Sequence, residues 1–116
     1  MKKLYPLLFI LFLIFWGCDD LFDPSVNLWG VDYSIENTTE LNLSNSGLTG
    51  SIPSEIGNLT NLNVFYLQDN QLSGIIPDEI CNQGDSSPEL TNNQLCPPYP
   101  SCVEDYVGEQ DTSDCD

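Results

Sequence analysis

The feature of this sequence that most constrains its fold is an internal repeat. Leu41, Leu43, Leu48, Gly50, Ile52, Pro53 and Ile56 return 24 residues later as Phe65, Leu67, Leu72, Gly74, Ile76, Pro77 and Ile80. A third, looser copy follows at a spacing of 23, carrying Leu90, Asn93, Leu95, Tyr99, Pro100 and Val103. A unit this short cannot bury its own apolar face. Stacked units can, because each covers its neighbour and a continuous core runs along the stack.

The order of residues within a unit sets what each must do. Leu41-x-Leu43 and Phe65-x-Leu67 alternate, so both apolar side chains fall on one face of a short strand. Asn70 and Asn93 suit the turn that ends the strand, since their side chains bond nearby backbone groups; Ser46 stands at this position in the first copy with a shorter reach. Gly50 and Gly74 permit backbone conformations that a side chain obstructs. Pro53 and Pro77 remove a backbone donor and limit further strand pairing. Ile56 and Ile80 then return to the core from a single helical turn.

The pattern L-x-L-x-x-N-x-L-x-G-x-I-P-x-x-I is similar to the plant-type leucine-rich repeat, which also occurs in bacterial surface proteins. The resemblance covers about residues 38–106. It implies an α/β-type solenoid: a short right-handed coil of about three repeats, with parallel strands on the concave face and 3-10 or irregular segments on the convex face. Leu28-Trp29-Gly30-Val31-Asp32-Tyr33 resembles the N-terminal cap of that family, with Tyr33 where the cap carries a cysteine. Trp29, Tyr33 and Ile35 are then expected to close the open end by packing, with residues 28–37 forming the cap. Residues 107–116 form a polar C-terminal cap or tail that needs Cys115 to pin it.

The beginning of the chain reads differently. Lys2 and Lys3 precede an apolar run from Leu4 to Trp16, interrupted only by Pro6. It is too short to cross a bilayer as a helix, which takes roughly 20 residues, and has the length of a signal-peptide core. Gly17-Cys18-Asp19-Asp20 follows. The segment looks like a bacterial lipoprotein signal (residues 1–17), although Phe15 and Trp16 stand where that family has Leu and a small residue. The resemblance implies lipidation of Cys18, a tether over residues 18–27, and an exported protein attached to a membrane of the cell envelope through its lipid anchor.

Beyond Lys3 there is no Lys, Arg or His, against 18 carboxylates in the chain. A segment without cations cannot neutralise phosphates, so a nucleic-acid partner is excluded. Nor can it adhere to an anionic lipid surface, which leaves acyl chains as the route to a membrane. The remaining cysteines, Cys81, Cys96, Cys102 and Cys115, are even in number and lack a Cys-x-x-Cys pair, so disulfides are favoured over zinc. Aligning the third copy on the second sets Cys102 opposite Glu79, two residues before Cys81. Stacking then favours Cys81–Cys102, with Cys96–Cys115 drawing the tail over the exposed end; two other pairings remain open.

Catalysis is not expected. With no His, Lys or Arg, there is no partner for an assisted nucleophile, a Schiff base or a cationic transition-state clamp. The carboxylate neighbours Asp78-Glu79 and Glu104-Asp105 fall on the rim of a small solenoid, where solvated charge explains them. The acidic run from Asp111 to Asp116 lacks the spacing of a calcium loop, so no metal and no cofactor are expected. Three N-x-S/T sequons, at Asn37, Asn42 and Asn58, are explained by Asn- and Ser/Thr-rich composition. What remains are outward strand positions: Glu40, Asn42, Ser44 and Asn45; Val64, Tyr66, Gln68 and Asp69; Glu89, Thr91 and Asn92. Asn42, Ser44, Tyr66, Gln68, Asp69 and Thr91 form the candidate ligand-binding face, with Tyr66 its aromatic member. The family resemblance implies a protein, peptide or glycan ligand there. The alternative is a structural envelope lipoprotein, or the relic of a longer repeat protein.

Overall fold

The computed structural model of the protein describes residues 23–116; the expected signal segment 1–17, the lipidation site Cys18 and the first part of the tether lie outside the described residues. The first element is an antiparallel hairpin of β1 (Ser25–Leu28) and β2 (Val31–Ser34), with Leu28 opposite Val31. Its two-residue turn, Trp29-Gly30, has positive φ at both positions, 51° and 87°. That geometry matches the twist of a tight hairpin, and glycine adopts it without steric cost. Val26 and Leu28 alternate inward and are buried. Residues 25–27, assigned to the tether on sequence, therefore belong to the folded cap. Trp29, Tyr33 and Ile35 pack against the same core cluster.

Two parallel sheets follow, one on each side of the unit. β3 (Glu40–Asn42) pairs with β5 (Val64–Tyr66), setting Leu41 beside Phe65. β4 (Thr49–Gly50), β6 (Gln71–Ile75) and β7 (Gln94–Cys96) form the second sheet in the order β4-β6-β7. The sequence expectation held only 3-10 or irregular structure on that side. The reason for the difference lies in the order of residues: Pro53 and Pro77 come after these strands, so their donors are intact and the prolines only end them. After each proline the chain makes a 3-10 turn, Ser54–Asn58 and Asp78–Asn82. The N–H of Ile56 donates to the Pro53 carbonyl at 3.2 Å, and Ile80 to Pro77 at 3.1 Å. The third copy keeps this bond, from Val103 to Pro100 at 3.0 Å.

The third strand expected beside β5 is reduced to a single bridge between Tyr66 and Glu89. Pro88 stands 23 residues after Phe65, at its position in the repeat, and has no donor to contribute to the ladder. Pairing persists on either side of the bridge: Glu89 N–H donates to the Phe65 carbonyl, and Leu67 N–H to that of Glu89. Where the Asn82–Pro88 loop replaces the leucines of the other repeats, the buried Asp85 substitutes for a backbone acceptor. Its carboxylate accepts from Phe65 N–H and Ser87 N–H, each at 2.9 Å.

One core runs along the stack, from Leu28 through Leu41, Phe65, Leu67 and Leu72 to Leu90, Leu95 and Val103. An amide ladder stitches the turns above it. Asn70 Nδ2 donates to the carbonyls of Leu43 and Leu67, and its Oδ1 accepts from Ser46 and Leu48 N–H. Asn93 repeats the motif one unit on, donating to Leu67 and Leu90 and accepting from Leu72. Gln110 supplies a further rung: Nε2 donates to Leu90 and Val107 at 2.7 Å each, and Oε1 accepts from Leu95 at 3.0 Å. Residues 107–110 thus imitate a fourth unit, with the same apolar-x-x-amide spacing and a side chain one methylene longer. The tail is held by this rung, by the buried Val107 and by Asp111 N–H to the Asn93 carbonyl, besides the disulfide. The disulfides present join Cys81 to Cys102 and Cys96 to Cys115.

Candidate functional site

The backbone of β3, β5 and the Glu89–Thr91 stretch places the outward side chains in rows across the stack. Asn42 lies opposite Tyr66, which is bridged to Glu89. The next row carries Ser44, Gln68 and Thr91: Asn45 N–H donates to the Gln68 carbonyl at 3.0 Å, and Asp69 N–H to that of Thr91 at 3.1 Å. All six candidate residues therefore belong to one surface, with Asn42 and Asp69 exposed and Ser44, Tyr66, Gln68 and Thr91 half-buried. Glu40 and Val64 head the face, opposite one another.

Several of these side chains are already engaged by the fold. Asn42 Oδ1 accepts both the hydroxyl and the N–H of Ser44, at 2.7 and 3.1 Å. Thr91 Oγ1 accepts Glu109 N–H at 3.1 Å. Asn45, Asp69 and Asn92 occupy the turn at the end of the strands with φ 51°, 64° and 61°. Asn and Asp tolerate that left-handed conformation better than other side chains, which gives these positions a conformational role. Asp69 and Asn92 are also joined directly, Nδ2 to Oδ1 at 2.8 Å. Tyr66 and Gln68 are the members whose polar groups the fold leaves uncommitted: the Gln68 Oε1 is buried without a hydrogen-bond partner.

Gln110 and Glu109 extend this surface by a fourth position, since Asn92 N–H donates to the Glu109 carbonyl at 2.8 Å. The sequence does contain the signal for it: Val107-x-x-Gln110 echoes Leu67-x-x-Asn70 and Leu90-x-x-Asn93. Further along the tail, the hydroxyl and N–H of Ser113 hold the exposed Asp111 carboxyl below its usual range.

A depression of about 160 Å³ lies beside the Cys81–Cys102 disulfide, lined by Ile80, Gln83, Asp85 and Val103, and no outward strand residue contributes to it. Asp78, Glu79, Glu104 and Asp105 are all exposed. Among the described residues no group of three or more His, Cys, Asp or Glu side chains is placed to hold a metal ion, and no helix is long and apolar enough to cross a membrane.

The family model described as Leucine Rich Repeat matches residues 37–59 and 61–83. The chain is 47% identical over 57 residues to the leucine-rich repeat receptor-like serine/threonine-protein kinase RGI4 of Arabidopsis thaliana, a match covering 49% of this chain and 5% of the relative. It is 46% identical over 39 residues to the receptor protein kinase WSS1 of Oryza sativa subsp. japonica, covering 34% of this chain and 4% of the relative. The matched region thus spans about a twentieth of the length of these relatives. No solved structure matches the chain. The two family matches fall on the two complete copies of the repeat, so residues 37–83 are similar to leucine-rich repeats.

Proposed function

We propose that this protein is a recognition module of the cell envelope, exported, anchored through lipid on Cys18, and binding a protein, peptide or glycan through the β3–β5 face of a right-handed, plant-type repeat coil. The observation that carries the reading is the half-buried pair Tyr66, at the end of β5, and Gln68, two residues on, whose Oε1 has no hydrogen-bond partner. Leucine-rich repeats commonly mediate protein–protein interaction, and the printed names of both relatives are those of receptor kinases. The kinase activity named there stays with those proteins. This chain has no cation beyond Lys3, and we infer that it is not an enzyme.

Size decides how such a face works. Strands about 4.8 Å apart give three rows a width of roughly 15 Å and an area of a few hundred Å². A standard protein interface takes about 800 Å² from each partner. A single copy therefore binds a protein weakly through this face, and useful strength comes from a small ligand or from many copies displayed on one membrane.

The test uses the anchored protein and a soluble form, each with and without the pair Tyr66→Ala and Gln68→Ala. Envelope extract is passed over monomeric and clustered protein, and retained components are identified. Retention that depends on clustering and on the pair supports recognition. Equal retention by the variant transfers the assignment to the structural alternative. The anchor is checked separately: a fatty-acid probe labels the protein, and Cys18→Ala abolishes the label.

A further inference from the structure

The second sheet carries an apolar side chain that the repeat does not require. Ile75 lies near the end of β6 and is 54% exposed. Its counterpart one repeat earlier is Ser51, so the position tolerates a polar residue, and the core is already filled by Leu72 and Ile76 on either side. Ile75 is paired with Cys96 of β7, and Cys96 is bonded to Cys115. The disulfide therefore brings the tail across the sheet beside this isoleucine. A groove of about 280 Å³ results, lined by the apolar Ile75, Pro97 and the disulfide together with Asp114 and Asp116.

We propose that this groove receives a single lysine or arginine side chain of a partner protein. Its volume falls just below the roughly 300–1,000 Å³ of small-molecule sites, which leaves room for one long side chain and little more. An apolar lining together with carboxylates matches the build of a basic side chain, an apolar stem ending in a charged head. The carboxylates have no cation among the described residues to neutralise them, since no Lys, Arg or His follows Lys3. The site is independent of Tyr66 and of the β3–β5 face, so either assignment stands without the other.

The experiment is an NMR titration of the full chain, disulfides intact, with N-acetyl-lysine methylamide, the arginine analogue and the norleucine analogue. Norleucine has an alkyl stem without the charge. The expected result is saturable shifts at Ile75, Cys96 and Asp114 with both basic probes, and binding at least five-fold weaker for norleucine. Asp114→Asn with Asp116→Asn weakens lysine binding about five-fold, the effect of two exposed ion pairs. Ile75→Ser, which installs the residue found at Ser51, weakens it similarly while leaving the fold intact. Equal binding of norleucine and lysine overturns the proposal, as does a response centred on Tyr66. Shifts at Ile75 that follow protein dilution alone assign the groove to a second copy and overturn it too.

Discussion

Replacing Asn70 by aspartate removes donors from the amide ladder while keeping shape and size. Asn70 is buried, with Nδ2 at 2.9 Å from each of the Leu43 and Leu67 carbonyls. Its Oδ1 accepts Ser46 and Leu48 N–H at 2.9 and 3.0 Å. Asn70→Asp preserves both acceptor bonds and loses the Nδ2 bonds to Leu43, Leu67 and, at 3.3 Å, Gln68, placing a carboxylate oxygen against these carbonyls, of which that of Leu67 keeps Asn93 as a donor. Each buried polar group left unsatisfied costs about 1–3 kcal/mol, so the variant loses about 2–4 kcal/mol at neutral pH. For a domain of this size, 1 kcal/mol shifts Tm by roughly 4–8 °C. The pH dependence has a definite sign. A protonated carboxyl donates one of the missing bonds, so the native variant holds its proton more tightly than the unfolded chain. The variant is therefore closest to wild type at low pH and loses stability as pH rises through the raised native value. Asn70→Ala loses all five side-chain bonds and should show no such pH dependence relative to wild type. The assay is urea unfolding followed by Trp29 fluorescence with the disulfides intact, reading the midpoint at constant slope. If Asn70→Asp matches wild type at neutral pH, the ladder does not hold the repeats together.

Gln110→Ala removes the last rung, leaving the Val107 carbonyl and the Leu95 N–H without their partner and the Leu90 carbonyl with Asn93 alone. A loss of about 2–3 kcal/mol is expected, with hydrogen exchange at Leu95 at least about ten-fold faster; unchanged exchange refutes the rung. Gly57→Ala is expected to cost about 1–3 kcal/mol, because its Cβ would lie 2.7 Å from the Glu79 carbonyl oxygen between two stacked 3-10 turns. An unaltered urea midpoint would mean that these turns separate freely. Cys96→Ser with Cys115→Ser should cost about 2–4 kcal/mol yet leave residues 107–111 in place, visible as retained protection of the Asp111 amide. With a net charge of −16, the protein should gain Tm when salt is raised from a few millimolar to about 1 M, where the Debye length is about 3 Å. A flat response would show that carboxylate repulsion does not limit the fold.

The sequence by itself determined the repeat, its period and which face of each unit is apolar. Leu41, Phe65, Leu67, Leu72 and Ile80 are buried because alternation and stacking leave them no other place. It also carried the outward rows, since register along a strand follows from the same alternation, and Tyr66 and Gln68 occupy alternate positions of one segment.

Three features were decided only in three dimensions. The second sheet depends on lateral pairing of Thr49–Gly50, Gln71–Ile75 and Gln94–Cys96, segments whose mixed polarity lacks a clear period-2 signal. The third strand failed because Pro88 takes the position of Phe65 and cannot donate to the ladder. The fourth rung escaped because Gln110 follows Asn93 by 17 residues rather than 23 and puts a longer side chain in the place of asparagine, so the repeat period does not register it. Periodic burial is local and legible in one dimension. Lateral hydrogen bonding and the reach of a side chain depend on which segments the stack brings together, and only the folded chain specifies that.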